Sequence, residues 1–284
     1  NVIRSKALDC LVKCTRDVQV SLDELERMGI TFQAASYRVA VFDIDTYSEM
    51  YQMDMDKQQE SALMAFVLFN VGDEIVVREN AGVVYQEGNN RVCIIFAGNR
   101  TKEFSESIHR ICHEIQKKVK EVIGLETSIG IGSWVRSPYE LIYSYRLAAK
   151  AIDYRYLLGG NLLFDMEEKK TDNSIFLMKD LETLTEAIKS GDRRLMEETL
   201  GQIETEIKSA LVEKSYACIY LQQVIRAIGN TCQSLSEEPE KIISQREALL
   251  KAVTEQRTFS QAAALVEKYA KEVFDALQEL NSSS

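Results

Sequence analysis

The hydrophobic pattern of this chain changes its period once, and that change divides whatever the chain folds into. Between residues 37 and 166, short apolar runs of strand length alternate with amphipathic stretches of helical period. Beyond a polar segment, EEKKTDNS at 167–174, strand signals almost vanish and only helical periods remain. The 284 residues leave room for two ordinary domains, and 45% apolar residues supply a core for each. The expectation is an α+β domain followed by an all-α bundle, with boundaries at 1–30 for N-terminal linker helices, 31–170 for the α+β domain and 171–284 for the helical domain.

Residues 2–16 read as a helix. SLDE at 21–24 reads as a capping box, with Ser21 as N-cap and Glu24 reaching back. That places a break near Val20 and a second short helix ending at Gly29. YRVAVFDID (37–45) is apolar and β-branched enough for a buried central strand. A helix is expected over about 56–70. VVYQEGNNRVCIIFAG (83–98) follows, two apolar runs around a polar tip, which is a β-hairpin signature. Residues 102–123 form an amphipathic helix with Phe104, Ile108, Ile111, Ile115, Val119 and Val122 on one face. ETSIGIGSW (126–134) reads as a strand. Ser137, Pro138 and Glu140 start a helix that Gly159 and Gly160 end, and NLLFDM (161–166) is a last strand. The order β-α-β-β-α-β-α-β implies an antiparallel or mixed sheet with helices on one face or both.

In the second half, helical periods run over about 175–190, 193–213, 215–233, 237–256 and 261–280. Ser190-Gly191-Asp192 marks a stop and restart, Pro239 sits in a first turn, and Ser260 is expected as a cap.

Composition narrows the function classes. Lys and Arg total 34 against 44 Asp and Glu, a formal charge of −10, and such a chain repels phosphate backbones. No apolar run reaches the roughly 18 residues that would span a membrane. The six cysteines, at 10, 14, 93, 112, 218 and 232, form no CxxC pair and read as buried reduced thiols of a cytoplasmic protein. The chain starts without Met or a secretory leader and reads as a piece of a longer protein. SIGIGSWV contains GxG, but Val135 stands where a dinucleotide fingerprint needs its third Gly, and no Walker Lys is present. His109 and His113 lie four apart on one helix beside Cys112. With no third ligand at an obvious spacing they read as helix surface rather than a metal site. The pairs Arg193-Arg194 and Lys169-Lys170 read as helix start and linker. Tyr139, Tyr143, Tyr145, Tyr154 and Tyr156 are shared between core and an exposed partner face.

VFDIDTY (41–47), the hairpin at 83–97, SIGIG (128–132) and AAKAIDYRYLLGGN (148–161) stand in an order and spacing that resembles a GGDEF-type domain, the nucleotidyl cyclase fold of the diguanylate cyclases. Over SIGIGSWVRSPYELIYSYRLAAKAIDYRYLLGGNLLFDME the chain looks like the degenerate GGDEF-like domain in the middle of YesN-type response regulators. Proteins of that type carry a phospho-receiver in front and an AraC-type helix-turn-helix module behind. A similar GGDEF-like domain occurs in the sugar-diacid and purine-catabolism regulators.

An active cyclase uses two metal ions to bridge substrate phosphates and activate the attacking hydroxyl. The resemblance places one family ligand at Asp43, which is retained. The Gly-Gly-Asp/Glu-Glu-Phe tip maps onto Gly88, Asn89, Asn90, Arg91 and Val92, so both tip carboxylates are gone and Arg91 brings a positive charge. The phosphate-neutralising Lys maps to Ser48, and the Asp of the product-inhibition motif RxxD maps to Gly82. A lone Asp facing a new cation would hold Mg²⁺ poorly. Asp43 and Asp45 can equally cap the strand end or pair with a Lys or Arg. With Gly88, Asn89, Asn90 and Arg91 they outline a vestigial cleft.

The resemblance therefore implies a non-enzymatic relay without catalytic residues, metal or cofactor, linking a receiver to a helix-turn-helix module through which alone DNA is contacted. The alternative is a small-molecule or nucleotide sensor that keeps the old cleft, and an active cyclase ranks below both. Self-association is expected as a weak homodimer. Two stripes could carry it, Leu8, Leu11 and Val18 in the N-terminal helix and Leu265, Tyr269, Val273 and Leu277 in the last, unless each packs on its own domain.

Overall fold

The computed structural model describes residues 2–45, 55–167, 178–233 and 240–282. These divide into two units, residues 1–155 with 160–169, and residues 156–159 with 170–284. Ser48, the linker beyond Glu167 and Pro239 lie outside the described residues.

The first unit contains α1 (Val2–Lys13), α2 (Val18–Arg27), β1 (Ser36–Ile44), α3 (Met55–Arg78), β2 (Gly82–Glu87), β3 (Arg91–Gly98), α4 (Lys102–Ile123), β4 (Thr127–Ile131), α5 (Leu141–Asp153) and β5 (Leu163–Asp165). A short helix, α6 (Arg155–Leu158), follows α5. The sheet order is β2-β3-β1-β4-β5, antiparallel throughout except for the parallel pair β4–β5. This is the mixed, mainly antiparallel α+β arrangement that the alternation of periods implies.

All nine residues of β1 are buried, because helices cover both faces of the sheet. Ala40, Phe42 and Ile44 pack on one face with Leu68 and Ile75 of α3 and with Ile108, Ile111 and Ile115 of α4. Tyr37, Val39 and Val41 pack on the other with Leu8 and Leu11 of α1, Leu25 of α2, and Leu141 and Ile152 of α5. Strand alternation sorts the two sets, so one strand feeds two cores.

The SIGIG strand has a packing reason for its glycines. A Cβ at Gly130 would overlap the Ala148 carbonyl, and one at Gly132 would overlap the Ser144 carbonyl. Helix α5 therefore lies directly on the β4 backbone, and the Ser144 hydroxyl accepts the Val39 N–H at 2.9 Å.

Several local expectations are corrected. The break between the first two helices falls at residues 14–17, not near Val20. Asp17 is the cap of α2, accepting the Val20 N–H at 3.1 Å, whereas Ser21 lies inside the helix, buried, with its hydroxyl bonded to the Asp17 carbonyl. Glu24 pairs with Arg16 instead of closing a capping box. Helix α3 continues to Arg78, since Val71, Ile75 and Val76 prolong its apolar face. Val122 is exposed, off the buried stripe of α4. Cys93, Cys112 and Cys218 are buried, but Cys10 is half-buried and Cys14, just past the end of α1, is exposed.

The second unit's own elements include α7 (Met178–Ser190), α8 (Arg193–Ser209), α9 (Lys214–Gln233), α10 (Glu240–Glu255) and α11 (Phe259–Ser282). Gly191 takes φ +74° to end α7, and Asp192 caps α8 by accepting the Leu195 N–H at 3.0 Å. The α11 cap is Thr258 rather than Ser260. Its hydroxyl accepts the Gln261 N–H at 3.2 Å, and its own N–H donates to Gln261 Oε1 at 3.3 Å. Tyr139 and Tyr143 are exposed, while Tyr154 and Tyr156 are buried.

Gly130→Ala should destabilise the first unit by about 2 kcal/mol, because a methyl group has no room without moving α5. The chain's one tryptophan, Trp134, lies in this unit, so its fluorescence in a urea titration reads the loss. An unchanged midpoint would mean that α5 does not need this close approach.

Candidate functional site

Antiparallel register brings the acidic strand end and the hairpin tip together. Asp43 on β1 stands opposite Arg91 on β3 and opposite Ser128 on β4. Its carboxylate is 2% exposed. Arg91 Nε donates to Asp43 Oδ2 at 2.6 Å, and Asn90 Nδ2 and Arg155 Nη1 each approach Oδ1 at 3.4 Å. Burial works against the Arg91 charge, but the Asp43 carboxylate outweighs it and holds the guanidinium's pKa above its ordinary value.

Asp45, one residue past β1, is met in the same way. Ser128 Oγ donates to its Oδ1 at 2.6 Å, Arg155 Nη1 lies 3.3 Å from the same oxygen, and the Asn161 N–H donates to Oδ2 at 2.6 Å. Gly160 allows that last contact, since the backbone of the Gly-Gly-Asn turn passes directly over the Asp45 carboxylate.

Each of the four carboxylate oxygens thus accepts at least one hydrogen bond from within the chain. Two guanidinium groups face a pair of carboxylates where a cyclase would gather carboxylates around divalent cations. Hard cations need oxygen ligands that are not already shared with fixed positive charge. This donor set does not fit a divalent ion.

Of the residues singled out from sequence, Asp43, Asp45, Asn90 and Arg91 come together. Gly88 and Asn89 are exposed at the tip, where Gly88 takes φ +63° and its carbonyl accepts from Gln86 Nε2 at 3.0 Å. Sequence reasoning missed Arg155, Ser128 and Asn161. Ser128 follows once β1 and β4 are paired in register. Arg155 and Asn161 lie within the AAKAIDYRYLLGGN segment, but nothing in their spacing points them at Asp45.

Two further polar clusters flank the sheet. Glu87, the last residue of β2, accepts from Tyr145 Oη at 2.5 Å, from Lys13 Nζ at 2.5 Å and from Cys93 Sγ at 3.2 Å. Burial alone would raise the Glu87 pKa, yet Lys13, Tyr145 and Cys93 together hold it below the ordinary carboxylate value. On the opposite face, Arg38 pairs with Asp165, both nearly inaccessible, and Arg38 Nε also donates to the Gly132 carbonyl at 2.6 Å. His109 Nε2 lies 2.6 Å from Asp165 Oδ2, so this histidine is an inward ligand of a carboxylate, not helix surface. Its apolar helix stripe gave no sign of that, because the partner is 56 residues away on β5. His113 is exposed, as its helix position implies. Burial pushes the Asp165 pKa up, but hydrogen bonding from His109 and the Arg38 charge leave it lowered.

A family model described as a GGDEF-like domain matches residues 17–154, so a GGDEF-like domain spans that part of the chain. No curated protein matches the chain.

Arg91→Leu should cost about 3 kcal/mol, because it strips a buried carboxylate of its closest cation. Adding Asp43→Asn should recover at least half of that loss in the same urea titration. Full additivity of the two losses would refute the pairing.

The lowered Asp165 pKa predicts acid sensitivity of a definite sign. The unfolded carboxyl binds protons at higher pH than the folded one. Its stabilisation is complete above about pH 5 and is lost as pH falls through the carboxylate range. Asp165→Asn should lower stability at neutral pH and flatten its decline below about pH 5. An acid limb as steep as the wild type's would assign the sensitivity to other groups.

Proposed function

We propose, with the GGDEF-like domain of residues 17–154 as premise, that this chain is a non-enzymatic relay in a bacterial two-component transcription regulator of the YesN type. In this reading it joins a receiver to an AraC-type helix-turn-helix module, both beyond this chain, and works in the cytoplasm. Contact with DNA is assigned to that module, in keeping with the net charge of −10 here. No described helix is long and apolar enough to cross a membrane.

The observation that carries the non-enzymatic reading is the pairing of Asp43 with Arg91 and of both acidic residues with Arg155. A cyclase spends this carboxylate on metal and leaves cations free for phosphates. Here the carboxylate and the cations neutralise each other. The same pairing weighs against a nucleotide-sensing cleft at this place, because Arg91 and Arg155 are turned onto Asp43 and Asp45. What it supports is a rigid sheet end, of the kind a relay needs to transmit a change of state.

Most of the two stripes named for weak self-association is covered within its own unit, with Val18 and Leu265 half-buried. Leu8 and Leu11 are interior to the first unit, and Tyr269, Val273 and Leu277 are buried in the second.

Incubation with GTP or ATP and Mg²⁺ or Mn²⁺ tests the reading directly. Chromatography of the products should show no cyclic nucleotide and no dinucleotide above a protein-free blank. Turnover that disappears in Asp43→Ala would overturn it.

A further inference from the structure

The start of β1 lies at the other end of the strand from Asp43, seven residues and roughly 23 Å away at strand rise. There Ser36, Arg100, Trp134, Arg136, Glu140 and Tyr143 line a cleft of about 630 Å³. None of these residues belongs to the acidic site.

Three features give the cleft a chemical character. First, a carboxylate already sits at its edge. Glu167 Oε2 accepts from Arg100 Nη2 at 3.1 Å, and Glu167 Oε1 accepts the Trp134 backbone N–H at 3.2 Å. Second, the exposed Arg136 guanidinium makes no ion pair with any described residue. Glu140, the acidic group of the lining, spends Oε2 on the Arg136 backbone N–H at 3.0 Å. Third, two aromatic rings border the space. The Trp134 indole is held by Phe104, with ring centroids 5.9 Å apart, and by the Arg38 guanidinium 5.4 Å from its ring centre. Tyr143 is 62% exposed. A fixed indole backed by a buried cation is a ready stacking surface, and a fork of arginine donors matches a planar anion.

We propose that this cleft binds a small aromatic anion. Its carboxylate or phosphate takes the Arg100 guanidinium and Trp134 N–H that Glu167 occupies, and its ring lies between Trp134 and Tyr143. Arg136 adds the second positive charge. Glu167 is then an internal competitor, so the ligand-bound state and the Glu167-latched state exclude each other.

Trp134 is the only tryptophan in the chain, so its fluorescence reports this cleft without a label. The probes are phenylacetate, phenyl phosphate and the uncharged 2-phenylethanol, titrated into the full 284-residue chain. A saturable fluorescence change with phenylacetate assigns a carboxylate, and one with phenyl phosphate assigns a phosphate; either supports the site. Glu167→Gln should tighten the responding anion about tenfold, the size expected for losing one charge-assisted competitor. Arg136→Ala should weaken it severalfold, and both variants should keep the wild-type melting temperature. The proposal is overturned by no saturable response to either anion in wild type and Glu167→Gln, by an equal response to 2-phenylethanol, or by unchanged affinity in Glu167→Gln.

Discussion

Strand β1 is buried along its whole length, so every polar group it carries has to be met from inside the chain. Near its start Arg38 is answered by Asp165 and the Gly132 carbonyl. Near its end Asp43 is answered by Arg91, Asn90 and Arg155. A cation at one end and an anion at the other each tie another strand to the centre: β5 through Asp165, across the intervening β4, and the adjacent β3 through Arg91. Removing any one partner leaves a charge stranded in a low-dielectric interior, which costs more than the pair contributes. The sheet's register is therefore fixed by two polar locks as well as by its apolar faces.

The two locks differ in how they were readable. Asp43 and Arg91 announce each other, since a hairpin with a three-residue tip between Glu87 and Arg91 sets β3 in register, and the central strand lies beside it. Arg38, Asp165 and His109 do not. They come from β1, β5 and α4, and no local period links residues so far apart. His109 sits at the flank of a strongly amphipathic helix, where pattern alone assigns it to solvent. A buried carboxylate on a strand that pairs only after a helical crossover was the missing fact.

Helix ends show the same division. Asp192 and Gly191 worked as punctuation because one residue supplies the cap and the next turn follows from φ alone. Ser21 failed because its side chain had a competing local partner, the Asp17 carbonyl one turn back, and Asp17 was the better cap. Thr258 rather than Ser260 capped the start of the last helix because Gln261 could return its hydrogen bond. Element existence was legible from period; element boundaries depended on which of two nearby oxygens reached an amide first.

The arginine that meets Asp43 also makes an acidic hairpin tip hard to introduce. Placing an acidic residue at position 90 would set a third negative charge beside two that Arg91 and Arg155 already satisfy, and no vacant ligand set would result. Removing Arg91 first would take the closest cation from the buried Asp43, leaving it only Asn90 and Arg155 at 3.4 Å. Either change alone is expected to give a less stable protein. An acidic tip with Asp43 and Asp45 free to bind a cation therefore requires changes made together at positions 90, 91 and 155.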